Sequence, residues 1–129
     1  MRGKKVYSAY AAVKSGKATR QKPSYVAAVI SQDGLVGLGL YNAGRSTIRV
    51  YSEGAKVLNL DYPSKNRSLM MVKEKNNTIV KVNYMDVKPK QTVGIVYYTP
   101  YSINFKNRLK FVYKIRYEGA YYTGYQTNY

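Results

Sequence analysis

The 129-residue chain has no histidine, no cysteine and no tryptophan, and only six carboxylates stand against 22 lysines and arginines. Without histidine, the side chain that titrates nearest neutral pH is missing, and with it the usual general base, general acid and metal ligand. Without cysteine there is no disulfide, no thiolate metal site and no thiol nucleophile, and the redox compartment leaves no trace. The carboxylates would have to act alone. Asp33, Asp61 and Asp86 fall at expected turns or strand ends, and Glu74 is flanked by Lys73 and Lys75. Such acids are turn formers and surface counter-ions. A glycosidase-like pair drawn from Glu53, Glu74 and Glu118 would need the fold to bring two of them together by accident. We therefore expect no enzyme, no cofactor, no metal site and no small-molecule substrate.

Long hydrophobic runs are absent too. The longest apolar or glycine stretch, Leu35 to Tyr41, is far short of the ~20 residues of a membrane helix, so no membrane span is expected. Met1-Arg2-Gly3-Lys4-Lys5 followed by Val6 to Val13 imitates a signal peptide. Its apolar stretch is short and carries Tyr7, Ser8 and Tyr10, which argues against that role.

What is present is charge and tyrosine. The net charge is +16, sixteen residues are tyrosine, and 45% of the chain is hydrophobic, enough to form a core. A chain of this length is expected to be one domain. Residues 1–22 hold seven basic groups and no acid, residues 23–86 eight against five, and residues 87–129 seven against Glu118 alone. The first segment, closed by Pro23, reads as a basic arm or, through Val6, Ala9, Tyr10, Ala11 and Val13, as a first strand or short helix. The remaining residues, 23–129, read as an antiparallel β domain with a tyrosine-rich tail.

From Ser24 onward the period is two. Leu109, Phe111, Tyr113, Ile115 and Tyr117 share one face, and Lys110, Lys114 and Arg116 the other, with Val112 the exception. Thr47 to Tyr51 and Lys56 to Leu60 alternate in the same way around Ser52-Glu53-Gly54, with Ile48 and Val50 inward and Arg49 outward. Leu69 to Glu74 and Ile79 to Asp86 flank an asparagine turn, and Tyr25 to Ser31 and Leu35 to Tyr41 flank Gln32-Asp33-Gly34. Val93 to Tyr98 is a further strand, ended by Pro100. Gly37 and Gly39 mark a bulge or a close backbone approach. The spacing predicts eight to ten short strands in a single antiparallel β-sandwich, jelly-roll or immunoglobulin-like, or a barrel. Gly39 to Ser46, GLYNAGRS, has the spacing of a phosphate-binding loop with Arg45 in place of lysine. The strand pattern from Thr47 denies it the helix that such a loop needs.

Cations interleaved with aromatics suit polyanions or other proteins. Arg2, Lys4, Lys5, Lys14, Lys17, Arg20 and Lys22 at one end, and Arg108, Lys110, Lys114 and Arg116 near the other, are the candidate polyanion-binding residues. Tyr121, Tyr122, Tyr125 and Tyr129 are the candidate protein-interface anchors. Two functions follow. The chain is expected to be a non-enzymatic structural or assembly subunit of a larger particle, of virion or nucleoprotein type, contacting acidic neighbours or packaged nucleic acid. Alternatively, it is a free module that holds single-stranded nucleic acid on a cationic, tyrosine-bearing sheet face. Because the net charge belongs mainly to the two ends and one strand face, function is expected there.

Overall fold

Apolar or aromatic residues at every second position make strands that bury one side, and the described residues form eleven strands. The computed structural model describes residues 3–6, 24–31, 33–104 and 106–127. The strands are β1 (Gly3–Val6), β2 (Ser24–Ser31), β3 (Leu35–Asn42), β4 (Ile48–Asn59), β5 (Arg67–Ser68) and β6 (Met70–Lys75). They continue with β7 (Thr78–Lys81), β8 (Tyr84–Val87), β9 (Thr92–Tyr98), β10 (Leu109–Tyr117) and β11 (Ala120–Thr127). One 3-10 turn, Pro63–Lys65, is the only helical segment among the described residues.

The strands form two antiparallel sheets packed as a β-sandwich. The first has the order β1-β2-β3-β9-β6-β7. In the second, β11 and β10 lead to β4, whose far side is shared by β8 along Ile48 to Tyr51 and by β5 at Lys56 and Val57. Gly3–Val6 pairs with β2, while Arg2 and residues 7–23, which complete the basic N-terminal segment, lie outside the described residues.

Two expectations about the strands need correction. Ile79 to Asp86 is not one strand but two, because the chain changes sheets between them. The Val82 N–H still donates to Met71 O of the first sheet at 3.0 Å, whereas Asn83 O accepts from Ser52 N of the second at 2.9 Å. Thr47 to Tyr51 and Lys56 to Leu60, expected on either side of a turn, belong to the single strand β4. Residues 52–55 bulge there against Tyr113 alone, with Gly54 at φ +86. A residue in the left-handed region bends the strand without reversing it. Gly37 and Gly39, by contrast, sit in unbroken register with both neighbouring strands.

Between the sheets, the Phe111 ring lies 5.4 Å from Tyr97 of β9 and 5.2 Å from Tyr113, and all three are fully buried. Their separations are those of favourable tilted aromatic pairs. Leu109, Ile115 and Tyr117 continue the inward row of β10, against Ile48, Val50 and Val57 of β4 and Leu38, Leu40 and Ile95 of the first sheet. Each such side chain contributes about 1.5–3 kcal/mol by leaving water. Tyr113 faces Gly124 across β10 and β11, and a Cβ at position 124 would come within 2.5 Å of the phenol ring. The ring occupies the space that the glycine leaves.

The hydroxyl of Tyr113 is buried without a hydrogen-bond partner, as is the amide of Gln126. Burial drives the Tyr113 pKa well above the ordinary tyrosine range, and the nearby Gln126 amide, short of full hydrogen-bond geometry, only partly offsets it. Tyr97 is raised for the same first reason, with Tyr113 adding to it. Phenols kept neutral in the fold stabilise fully below the unfolded value of about 10, and this stabilisation is lost as pH rises beyond it. Gly124→Ala should lower stability by about 1–3 kcal/mol, since the packed ring cannot yield. Tyr113→Phe should preserve or raise stability and shift alkaline unfolding to higher pH. Urea midpoints measured across pH check both. A neutral Gly124→Ala, or an unchanged alkaline limb in Tyr113→Phe, would contradict this packing.

Candidate nucleic-acid interface

The alternation that sends Phe111 and Tyr113 inward sends Lys110, Val112, Lys114 and Arg116 to the outer face of the second sheet. Register then decides what stands beside them. Across β10 and β11, Lys110 pairs with Thr127, Val112 with Tyr125, Lys114 with Thr123 and Arg116 with Tyr121. On the other side, Lys110 pairs with Leu58, Val112 with Lys56, Lys114 with Tyr51 and Arg116 with Arg49. Beyond β4, Tyr84 stands opposite Tyr51 and Asp86 opposite Arg49. Directly paired residues share a face, so four tyrosines and five cations form one continuous lattice.

The side chains interlock. Lys114 Nζ lies 4.7 Å from the Tyr121 ring centroid and 5.6 Å from that of Tyr51, and these two rings are 6.1 Å apart. Lys110 Nζ is 4.2 Å from the Tyr125 ring, and the Arg116 guanidinium is 5.5 Å from Tyr121. The Arg49 guanidinium stacks 3.9 Å from the Tyr84 ring and donates two hydrogen bonds to Asp86, at 2.9 and 3.1 Å. Those bonds to Asp86 hold the Arg49 pKa above its ordinary value. Arg49 is thereby neutralised and positions Tyr84. Among the described residues, Lys56, Lys110, Lys114 and Arg116 have no carboxylate within 4.0 Å. Tyr121 and Tyr84 are 57% and 46% exposed, which leaves ring surface open to solvent.

Among the described residues, two clefts border the lattice. One, of about 410 Å³, is lined by Thr47, Arg49, Asp86, Arg116, Glu118 and Gly119. The other, of about 470 Å³, opens at the β4 bulge beside Tyr51 and Tyr84.

Lys110, Lys114 and Arg116 thus stand together, joined by Tyr121 and Tyr125 from the candidate interface set. Tyr122 points the other way and packs against the core. Arg108 lies before β10 and is committed to Asp61, its Nε and Nη2 both 2.9 Å from Oδ1 and its backbone N–H 2.8 Å from Oδ2. Lys4 and Lys5 are on β1, at the edge of the other sheet. Arg2, Lys14, Lys17, Arg20, Lys22 and Tyr129 lie outside the described residues.

Arg49, Tyr51, Lys56 and Tyr84 were not among the candidate site residues read from the sequence. Their outward phase was readable, but their place beside β10 depends on pairing between distant strands. The phosphate-loop-like segment runs from the end of β3 into the β3–β4 connection, which leads into a strand. Its shape is held by Asn42, whose buried amide donates to Ser46 O and Val87 O at 2.7 and 2.9 Å and accepts from Gly44 N at 2.9 Å. Arg45 lies 4.0 Å from Glu118. Among the described residues no three His, Cys, Asp or Glu side chains gather as a metal site, and no helix is long and apolar enough to cross a membrane. No protein-family model matches the chain, and neither does any curated protein or solved structure.

Hydrogen bonds from the Arg108 backbone N–H and then its guanidinium hold the Asp61 carboxyl below its usual range. A depressed folded-state pKa gives stabilisation that is present above the unfolded value, near 4, and is lost as pH falls through the folded one. Asp61→Asn should therefore lower the urea midpoint at neutral pH, and the gap from the unsubstituted protein should close in acid. A gap that persists unchanged in acid would contradict the pairing.

Proposed function

We propose that this protein binds single-stranded nucleic acid on the outer face of its second sheet. One observation carries the reading: Lys56, Lys110, Lys114 and Arg116, none paired with a carboxylate among the described residues, are interleaved with Tyr51, Tyr84, Tyr121 and Tyr125. Cations neutralise phosphates, while phenol rings offer stacking surfaces to any base. A single strand exposes its bases to such rings, whereas a duplex hides them, so single strands are the favoured substrate. No acid, base or metal chemistry enters, and the role is binding without catalysis.

Binding should weaken steeply with salt, by a log–log slope of roughly 0.7 for each phosphate neutralised. Lys114→Ala and Arg116→Ala should each reduce that slope by about 0.7. Fluorescence anisotropy of a labelled single strand across a salt series measures this. A flat salt response, or unchanged slopes in both variants, would remove the reading.

A second reading, an assembly subunit of a larger particle, is supported by the opposite face. On the outside of the first sheet the pairs Leu35–Tyr98, Gly37–Val96, Gly39–Gly94 and Tyr41–Thr92 carry no charge, and Val96, Tyr98 and nearby Met70 are 37–38% exposed. Copies of a +16 chain repel one another. This uncharged β3–β9 strip is where a second copy could approach with least repulsion. Light scattering should then show association that Val96→Lys abolishes, and a protein that stays monomeric at high concentration would exclude self-assembly through this face.

A further inference from the structure

β4 has a strand partner on its outer side only at Ile48 to Tyr51 and at Lys56 and Val57, so residues 52–55 face a gap between β8 and β5. Two backbone hydrogen bonds bound this gap, Ser52 N to Asn83 O and Leu69 N to Ala55 O, both 2.9 Å. The resulting cleft of about 470 Å³ is lined by Tyr51 and Tyr84, Lys56 and Lys81, Glu53 and Asn83, among others. That volume lies in the range of small-ligand sites and exceeds what a single nucleobase requires.

Glu53 is the unusual member. Among the described residues Asp61, Asp86 and Glu118 each have an arginine within 4.0 Å, whereas Glu53 and Glu74 have none; of these two only Glu53 lines a cleft, and it does so beside two lysines. An ionised carboxylate only accepts hydrogen bonds. The cleft thus combines two aromatic rings, an acceptor that its own lysines do not satisfy, and two cations. Those are the groups needed to stack a base, read its edge and hold its phosphate.

We propose that this cleft is a nucleobase pocket that selects bases carrying an exocyclic amino group. A base at the Tyr51–Tyr84 end of the lattice turns its edge toward Glu53, which accepts from the amino group of cytosine, adenine or guanine. Lys56 and Lys81 flank the attached phosphate. Thymine and uracil have no amino group and offer that edge one imino N–H between two carbonyl oxygens, and those oxygens repel a carboxylate. Asn83, both donor and acceptor, also lines the cleft. The pocket rests on the reading of the outer face as a single-strand site and adds base selectivity to a surface that would otherwise treat all bases alike.

The test is anisotropy with labelled oligo(dC) and oligo(dT) dodecamers against the full chain and its Glu53→Ala and Glu53→Gln variants. The unsubstituted protein should bind oligo(dC) about fivefold or more tightly than oligo(dT), the lower end of what one well-placed base-edge contact provides. Both variants should lose that preference by weakening oligo(dC) binding, with oligo(dT) affinity unchanged or raised. Equal binding of the two oligomers by the unsubstituted protein, or a preference that survives in both variants, overturns the pocket and leaves the single-strand face standing. Failure of both oligomers to bind overturns the face and the pocket together.

Discussion

Phe111 sits between Tyr97 of the opposing sheet and Tyr113 of its own strand, and the two sheets meet through this contact. Strand periodicity makes the contact consequential beyond the core. Once Phe111 and Tyr113 are buried, Lys110, Lys114 and Arg116 can only face solvent, because a shift of one residue would exchange the two faces of β10. Burying the lysines and the arginine would cost several kcal/mol per ion. The packing that stabilises the sandwich is therefore also what assembles the cationic face, and the two cannot be separated by small changes of register.

The outer surfaces of the two sheets differ for the same reason. In the second sheet β10 is flanked by β4 and β11, whose outward positions supply Arg49, Tyr51, Lys56, Tyr121 and Tyr125. In the first sheet β3 and β9 present glycines, threonine, aliphatic groups and tyrosines without charge. Within the charged face the arginines have different tasks. Arg49 is spent on Asp86 and on the Tyr84 ring, so it positions an aromatic surface, whereas Arg116 keeps its charge for a partner. Cation–aromatic contacts at exposed sites contribute about 0.5–1 kcal/mol each. That is enough to preorder the rings and too little to prevent a base from displacing an ammonium.

The all-β sandwich and the facing of β10 were legible in the sequence because Leu109 to Tyr117 alternates strongly apolar with charged residues. The rest of the lattice was not, since β4 and β8 lie far from β10 along the chain and alternation carries no record of which strands pair. The change of sheet after Lys81 was hidden because Val80, Val82 and Tyr84 keep the alternation in sequence, although the inward set shifts there to Met85 and Val87. In β11 the inward positions are Tyr122, Gly124 and Gln126, without an aliphatic marker among them. No pattern there could separate Tyr122, which packs on the core, from Tyr121 and Tyr125, which face out. Gly124 is explained only by Tyr113, a cross-strand partner. The charge tally drew attention to the chain ends, yet the middle contributes Arg49, Tyr51, Lys56 and Tyr84 to the same face.

The most direct test of this account is a residue-resolved map of where a single strand touches the protein, taken from NMR shift changes during titration with an oligonucleotide. The account predicts that Tyr51, Tyr84, Lys114, Arg116, Tyr121 and Tyr125 respond together, with the outer face of β3 and β9 silent. Shifts concentrated on β3 and β9, with the tyrosine and lysine lattice unmoved, would contradict it.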